Sequence, residues 1–177
     1  CGTGILAGKA AALFPDTHFV LLDPSDAMLA VAKEKFAANE KMNRTYVLAG
    51  TESVDFAPES FDVITAILSH HYFDQETRRK STAKCFDMLK KGGVYVTFET
   101  VAPDTALGTK IGLERWRNVI INNGKDKAAA ERHISRFGTE LLPITVAQHL
   151  ALLKQVGFAT VELFWRSGMQ AGFYAIK

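Results

Sequence analysis

The protein is a chain of 177 residues, 47% hydrophobic and 23% charged, which is the composition of a globular domain able to bury a core. Its 21 basic and 19 acidic side chains give a net charge of only +2, so the charge does not indicate a nucleic-acid-binding surface. No run of about 20 apolar residues predicts a membrane span. The two cysteines, Cys1 and Cys85, are too few for a disulfide framework or a sulfur-bound metal. We therefore expect a cytoplasmic protein without a metal.

Helices and strands are predicted to alternate along the first hundred residues. In chain order, the pattern predicts a helix at 5–14, a strand at 17–22, a helix at 25–40, strands at 44–49 and 61–68, a helix from Asp74 that Lys90-Lys91-Gly92-Gly93 closes, and a strand at 94–98. This alternation indicates a doubly wound, mostly parallel α/β sheet with right-handed crossovers.

The pattern changes between Pro103 and Pro143, where a polar, helix-leaning stretch predicts a helical insertion that acts as a lid. A further helix is expected at 145–155. Two closely linked strands at 159–165 and 172–176, joined by residues 166–171, are expected to pair antiparallel.

Gly2 and Gly4 directly precede the first helix, where a glycine-rich turn lets a ligand approach the backbone. Asp23 ends the next strand, and an acid roughly 20 residues after such a turn is placed to bind ribose hydroxyls. A phosphate-binding P-loop is excluded, because Ala10 stands where that motif requires Ser or Thr. Gly2, Gly4 and Ala7 also fit the dinucleotide pattern, so spacing alone does not separate an NAD site from an adenosylmethionine site, and a tight turn with a capping Asp is the structural alternative.

Five motifs follow one another in a familiar order: Cys1-Gly2-Thr3-Gly4, Leu22-Asp23-Pro24-Ser25 with Met28-Leu29, Phe61-Asp62-Val63-Ile64, Leu89-Lys90-Lys91-Gly92-Gly93, and the strand pair at 157–177. Together they resemble the class I S-adenosylmethionine-dependent methyltransferases, over the whole chain except the lid. The resemblance implies a Rossmann-like fold in a single domain at 1–177, made of a cofactor-binding core at 1–102, the lid at 103–144, and a C-terminal helix and hairpin at 145–177. It further implies S-adenosylmethionine as cofactor and methyl transfer to an acceptor. An NAD-dependent oxidoreductase and a non-catalytic methyltransferase-like module remain alternatives.

The same resemblance assigns a cofactor site. Gly2 and Gly4 would lie against the cofactor and Asp23 would hold its ribose. Met28 would pack near the adenine, whose amino group Thr51 or Glu52 would bind. The family also has a strand before the glycine loop, which the 177 residues lack. We therefore expect the edges of its two neighbouring strands to be exposed, unless a preceding segment or another pairing fills the gap.

The acceptor site is predicted where the strand at 61–68 continues into His70, His71 and Tyr72. Histidine takes up a proton near pH ~6.5, so these residues are the catalytic candidates. The Asn/Asp-Pro-Pro-Tyr/Phe turn of enzymes that methylate DNA amino groups is absent, as is the Pro-Cys nucleophile of cytosine C5 enzymes, which favours a small-molecule acceptor. Weaker substrate candidates are Glu99, Arg115, Trp116, His133, Arg136 and Trp165. The oligomeric state stays open, a homodimer included.

Overall fold

A computed structural model describes all residues from Cys1 to Lys177. The chain forms two compact units, Cys1–Asp55 and Phe56–Lys177. The elements are α1 (Ile5–Leu13), β1 (Phe19–Asp23), α2 (Asp26–Phe36), β2 (Arg44–Leu48), β3 (Phe61–Ile67), a 3-10 turn (His70–Tyr72), α3 (Gln75–Met88), β4 (Leu89–Thr100), α4 (Ala106–Asn122), α5 (Lys127–Ile134), α6 (Val146–Val156), β5 (Thr160–Ser167) and β6 (Gln170–Ile176).

In the first unit, β1 and β2 form a parallel two-stranded sheet, in register from Phe19 opposite Arg44 to Asp23 opposite Leu48. Leu21, Phe36 and Met42 form its buried core. The Ser25 hydroxyl accepts the Met28 N–H (3.4 Å) and so caps α2. The carboxyl ends of both strands therefore lie at one edge of this sheet, where the loops of the predicted cofactor site begin.

The second unit holds a four-stranded sheet in the order β3-β4-β6-β5. β3 and β4 are parallel, whereas β6 is antiparallel to both β4 and β5. The core contains the buried side chains of Tyr95, Leu153 and Phe173, and Phe158 stacks on Tyr95 with ring centroids 5.7 Å apart. A capping box at Thr145 and Gln148 starts α6, and Gly157 with φ 121° ends it.

The predicted α/β architecture, the antiparallel C-terminal hairpin and the helical stretch after Pro103 are all present. The strands form two sheets, in which the pairings β1–β2 and β3–β4 are parallel and both pairings of β6 are antiparallel. β1 pairs only with β2 and β3 pairs only with β4, so each has an unpaired edge.

Two predicted boundaries are wrong. Lys90 to Gly93 do not close α3, which ends at Met88, because they already belong to β4. This part of β4 is held by residues distant in sequence: Gly92 N–H donates to the Lys177 carbonyl (2.9 Å) and Lys177 N–H donates to that of Gly93 (3.1 Å). The hairpin connection is also shorter than 166–171, since β5 runs to Ser167 and only Gly168 and Met169 form the turn.

None of the helices combines the length and the apolar composition that crossing a bilayer requires.

Candidate functional site

The glycine turn takes a backbone conformation that glycine favours. Gly2 and Gly4 have φ of 54° and 75°, in the left-handed region. A Cβ on Gly4 would lie 2.6 Å from the ring of Phe36, whereas a Cβ on Gly2 would meet nothing within 4 Å. Gly4 therefore lets the turn pack against α2, and Gly2 leaves open space above the backbone, as a bound cofactor would need.

Asp23 lies beneath this turn with its side chain 14% exposed. Its Oδ2 accepts the Gly2 N–H (2.7 Å) and its Oδ1 accepts the Ser25 N–H (2.9 Å). Burial opposes the charge, but these amide hydrogen bonds and the Cys1 ammonium, 3.1 Å from Oδ2, hold the pKa of Asp23 below its usual value. The carboxylate is thus ionised at neutral pH. Since each carboxylate oxygen has two lone pairs, Asp23 retains acceptor capacity for ribose hydroxyls.

The other predicted cofactor residues lie at the same edge of the two-stranded sheet. Met28 is 44% exposed on the first turn of α2. Thr51 and Glu52 lie in the turn after β2, and Glu52 folds back over Gly50, where a Cβ would come within 2.1 Å of its carboxylate. Met28, Thr51 and Glu52 thus lie in the same unit as Gly2, Gly4 and Asp23.

The predicted catalytic segment forms a short 3-10 turn after β3. Leu68, which leads into it, has φ 51°, a conformation that costs a residue with a Cβ about 1–2 kcal/mol. His70 and His71 are buried, at 2% and 3% exposure, whereas Tyr72 is 46% exposed. The structure therefore places the two histidines inside the fold and Tyr72 at its surface.

Glu99 binds the backbone of the 3-10 turn His70–Tyr72. It is 1% exposed, and its two oxygens accept the backbone N–H groups of His70 (3.3 Å) and His71 (3.0 Å). Its Oε1 also lies 2.7 Å from the Thr97 hydroxyl. The sequence suggested a substrate contact for Glu99, but the structure shows a carboxylate that holds the turn.

Glu99 also contacts the imidazole of His71, with 2.9 Å between Oε2 and Nδ1. The Thr100 N–H points at the same nitrogen, at 3.2 Å. Because an ionised carboxylate only accepts hydrogen bonds, the shorter contact assigns the proton to Nδ1. Burial opposes the charge of Glu99, but the hydrogen bonds from His71 and the Thr97 hydroxyl, together with the two neighbouring imidazoles, hold its pKa below the usual range.

Arg78 binds the turn from the side of α3 and is 2% exposed. Its guanidinium donates to the carbonyls of His70 (3.1 Å), Phe73 (2.8 Å) and Leu142. The Leu142 N–H in turn donates to the His71 carbonyl (2.7 Å). The turn is thus fixed by a buried anion, a buried cation and a neighbouring segment.

Arg136 lies over Tyr72, with 5.8 Å between the guanidinium carbon and the ring centroid, and donates to the Tyr72 hydroxyl (3.4 Å). It also forms an ion pair with Glu140 (2.7 Å). The structure therefore brings one predicted lid residue to the end of the catalytic segment.

The remaining substrate candidates are more scattered. Trp116 of α4 packs edge-on against His133 of α5 (4.8 Å), and burial with the nearby charge of Arg136 lowers the pKa of His133. Arg115 is exposed on α4. Trp165 is 41% exposed on β5, where it neighbours Phe98 (5.7 Å).

Sequence reasoning missed Arg78 and His149. Arg78 stands in a helix rich in charged residues, and no sequence signal separates it from Arg79. His149 is 4% exposed and stacks on Phe173 (4.9 Å), and burial lowers its pKa to about 4. The apolar neighbours Leu150, Leu152 and Leu153 are the signal that indicates its burial.

Parallel strands, a left-handed glycine turn before a helix, and an ionised acid at the end of the next strand define an α/β protein that binds a nucleotide-like cofactor. The chain matches the methyltransferase domain family over residues 1–93 and belongs to that family. This confirms the predicted class I S-adenosylmethionine-dependent methyltransferase family and its cofactor, S-adenosylmethionine.

Individual relatives agree with the family. The chain is 24% identical over 165 residues to a carboxy-S-adenosyl-L-methionine synthase of Helicobacter hepaticus, covering 93% of this chain and 67% of that protein. It is 28% identical over 169 residues to a demethylmenaquinone methyltransferase of Chlorobaculum tepidum, covering 92% and 64%. The crystal structure of a putative O-methyltransferase from Nostoc punctiforme superposes with a TM-score of 0.72 at 17% identity, covering 99% of this chain and 49% of that one. The chain thus spans about half to two thirds of these relatives, and the Rossmann-like methyltransferase fold is confirmed.

Proposed function

We propose that the protein transfers a methyl group from S-adenosylmethionine to a small organic acceptor, and that His71 takes the proton the acceptor loses. The observation that carries this proposal is the buried contact between His71 Nδ1 and Glu99 Oε2 at 2.9 Å, at the carboxyl end of β3. A carboxylate on Nδ1 sets the tautomer and leaves Nε2 as the basic nitrogen.

S-adenosylmethionine, when bound, supplies a methyl group on a positively charged sulfur. The open space above Gly2 and the acceptor capacity of Asp23 suit its adenosyl part. Met28 would lie against the adenine, and Thr51 or Glu52 would bind its amino group.

Transfer of the methyl group would leave the electron pair of the carbon–sulfur bond on sulfur, so the chain's own residues would have only the acceptor proton to take up. The acceptor proton moves to His71 Nε2, and Glu99 stabilises the imidazolium that results. Holding the two reactants in line can lower the barrier by ~7–11 kcal/mol, so the rigidity of the turn matters as much as its basicity. We assign Glu99 and Arg78 as positioning residues, because both hold the turn through its backbone.

Tyr72 and Arg136 are proposed to contact the acceptor, since Tyr72 is exposed at the end of the turn and Arg136 lies over it. An arginine here favours acceptors with a carboxylate or a phenolate. The helices α4 and α5, with Arg115, Trp116 and His133, are the proposed lid, and Trp165 stays a weaker candidate. The two free cysteines agree with the proposed cytoplasmic location.

The test has two measurements. Calorimetry with S-adenosylhomocysteine establishes cofactor binding, and a labelled-methyl assay over phenols, carboxylic acids and amines identifies the acceptor class. His71→Gln should lower turnover at least ~100-fold with cofactor affinity within ~2-fold, because general base catalysis contributes about 10²–10⁴-fold. His18→Gln, an exposed histidine bonded to Thr45 (2.9 Å), is the matched control.

Three outcomes would contradict the proposal. Unchanged turnover in His71→Gln would remove the base, and failure to bind S-adenosylhomocysteine would support a non-catalytic module. If mass spectrometry instead showed that S-adenosylmethionine itself gains a carboxyl group, the product named in the Helicobacter hepaticus relative would replace methyl transfer.

A further inference from the structure

The buried face of β4 carries three polar side chains. Tyr95, Thr97 and Glu99 are alternate residues of the strand and so share one face, at 1%, 3% and 1% exposure. Valine has the same branched shape as threonine and suits a strand as well, and β4 already contains Val94 and Val96. Since a buried hydroxyl costs free energy unless it is hydrogen-bonded, the hydrogen bonds of Thr97 must account for its presence here.

The Thr97 hydroxyl lies between two acceptors. Its Oγ1 is 2.7 Å from Glu99 Oε1 and 2.8 Å from the carbonyl oxygen of Ala66 on β3. A hydroxyl has one proton to donate, and neither a carbonyl nor an ionised carboxylate can donate in return. Only one of the two contacts can therefore be a full hydrogen bond at a time.

The charge of Glu99 decides between the two acceptors. Despite its burial, the pKa of Glu99 lies below its usual value, so the carboxylate is ionised at neutral pH. Hydrogen bonds to an ionised group are about twice as strong as those between neutral groups. The His70 N–H, which also donates to Oε1, is further away at 3.3 Å. The Thr97 hydroxyl therefore donates to Glu99 and not to Ala66.

We propose that Thr97 is a positioning residue for the turn of His71, because its hydroxyl donates to Glu99 Oε1 and sets the pH below which the turn loses its anion. This inference rests on the proposed function only for the role of His71 as the base. When Glu99 takes up a proton from the solvent on Oε1, the new O–H donates to Thr97 Oγ1. The hydroxyl then turns to the Ala66 carbonyl, so its hydrogen bond to Glu99 reverses direction as the pH falls.

Five other titratable groups surround Glu99, from four elements of the fold. They are Tyr95 on β4, His70 and His71 on the 3-10 turn, Arg78 on α3 and His149 on α6. A substitution at Thr97 leaves all five in place. A change in the titration of Glu99 therefore reports the loss of the hydroxyl.

The test is the titration of the Glu99 carboxyl, followed by carbon-13 NMR of the full chain. Thr97→Val removes the hydroxyl and keeps the shape of the side chain. It should raise the midpoint of the Glu99 titration by about one pH unit or more, because a hydrogen bond to a charged group favours the ionised form by at least that much. Thr97→Ser keeps the hydroxyl and should titrate with the unchanged protein. Thr65→Val, at an exposed threonine of β3, is the matched control and should leave the midpoint in place.

An unchanged midpoint in Thr97→Val would overturn the proposal, since the hydroxyl would then donate to Ala66. So would a raised midpoint that Thr97→Ser does not restore, since packing would then be the cause. If circular dichroism shows that Thr97→Val is unfolded, Thr97→Ala, which also lacks the hydroxyl, should raise the midpoint in its place. The titration needs neither cofactor nor acceptor, so it decides this proposal even if His71→Gln keeps full turnover and the proposed base fails.

Discussion

Replacing Glu99 by Gln should destabilise the protein far more than the loss of one charge at a surface would. Glu99 is 1% exposed and accepts hydrogen bonds from two consecutive backbone amides. Glutamine has the same shape but keeps one acceptor oxygen. Its NH2 group then faces the His70 amide at one oxygen position, or the amide and the Nδ1 proton of His71 at the other, and at least one buried donor loses its partner.

The magnitude follows from the charged contacts. A hydrogen bond to a charged group contributes about 1.5–3 kcal/mol, and leaving one partner of a buried pair unpaired adds to the loss. We therefore expect Glu99→Gln to lower the free energy of unfolding by about 2–4 kcal/mol at neutral pH.

The lowered pKa of Glu99 determines how the stability difference changes with pH. The folded pKa of Glu99 lies below its usual value, so the carboxylate contributes stability above its unfolded pKa of about 4.3. This contribution is lost as the pH falls through the folded pKa. The difference between the unchanged protein and Glu99→Gln should therefore be full at neutral pH and shrink as the solution is acidified.

Urea unfolding followed by tryptophan fluorescence measures this difference, because both tryptophans, Trp116 and Trp165, lie in the same unit as Glu99. The control is Glu76→Gln on α3, because the exposed ion pair of Glu76 with Lys80 is screened by solvent and should contribute little to stability. Equal stability of Glu99→Gln and the unchanged protein, or a difference that does not vary with pH, would refute the assigned hydrogen bonds.

Three further predictions concern other residues of the site. Asp23→Asn should weaken S-adenosylhomocysteine binding ~10-fold or more by calorimetry, because asparagine has one acceptor oxygen where the carboxylate has two. Asp26→Asn, at an exposed position, should leave the affinity unchanged. Gly4→Ala should lower stability by about 1–3 kcal/mol in the same urea assay, since its φ of 75° and the ring of Phe36 both oppose a Cβ, and a neutral result would contradict this packing. Arg78→Lys should lower the midpoint of thermal unfolding by several degrees, because one ammonium group cannot reach all three carbonyls. An unchanged midpoint would show that the guanidinium hydrogen bonds do not stabilise the fold.

Local patterns in the sequence predicted much of the fold. The glycines at 2 and 4, the acid at 23 and the capping Ser25 predicted the first turn, β1 and the start of α2, because each acts on residues close in the chain. The start of β4 was predicted too late, since Lys90 to Gly93 resemble a helix end, and pairing with the distant residues Phe61 and Lys177 extends the strand through them.

The candidate site was predictable in place but not in detail. The strand before His70 indicated where the proposed acceptor segment lies. The role of Glu99 could not be predicted from the sequence, because its hydrogen bonds join residues that are 28 and 29 positions apart. Arg78 was missed for the same reason, since its bond to Leu142 spans 64 positions.

The strand order of the larger unit also has a consequence for synthesis. β6 follows β5 in the chain but lies between β5 and β4, so β4 has only β3 as a partner, and β5 has none, until the ribosome has released the residues after Gln170. Val94 pairs with Ile176, which is synthesised much later. Because this contact closes a long loop, the sheet is expected to form slowly. During that interval β4 and β5 are both open edges, and the nascent chain depends on rapid insertion of β6, or on a chaperone, to avoid pairing with other chains.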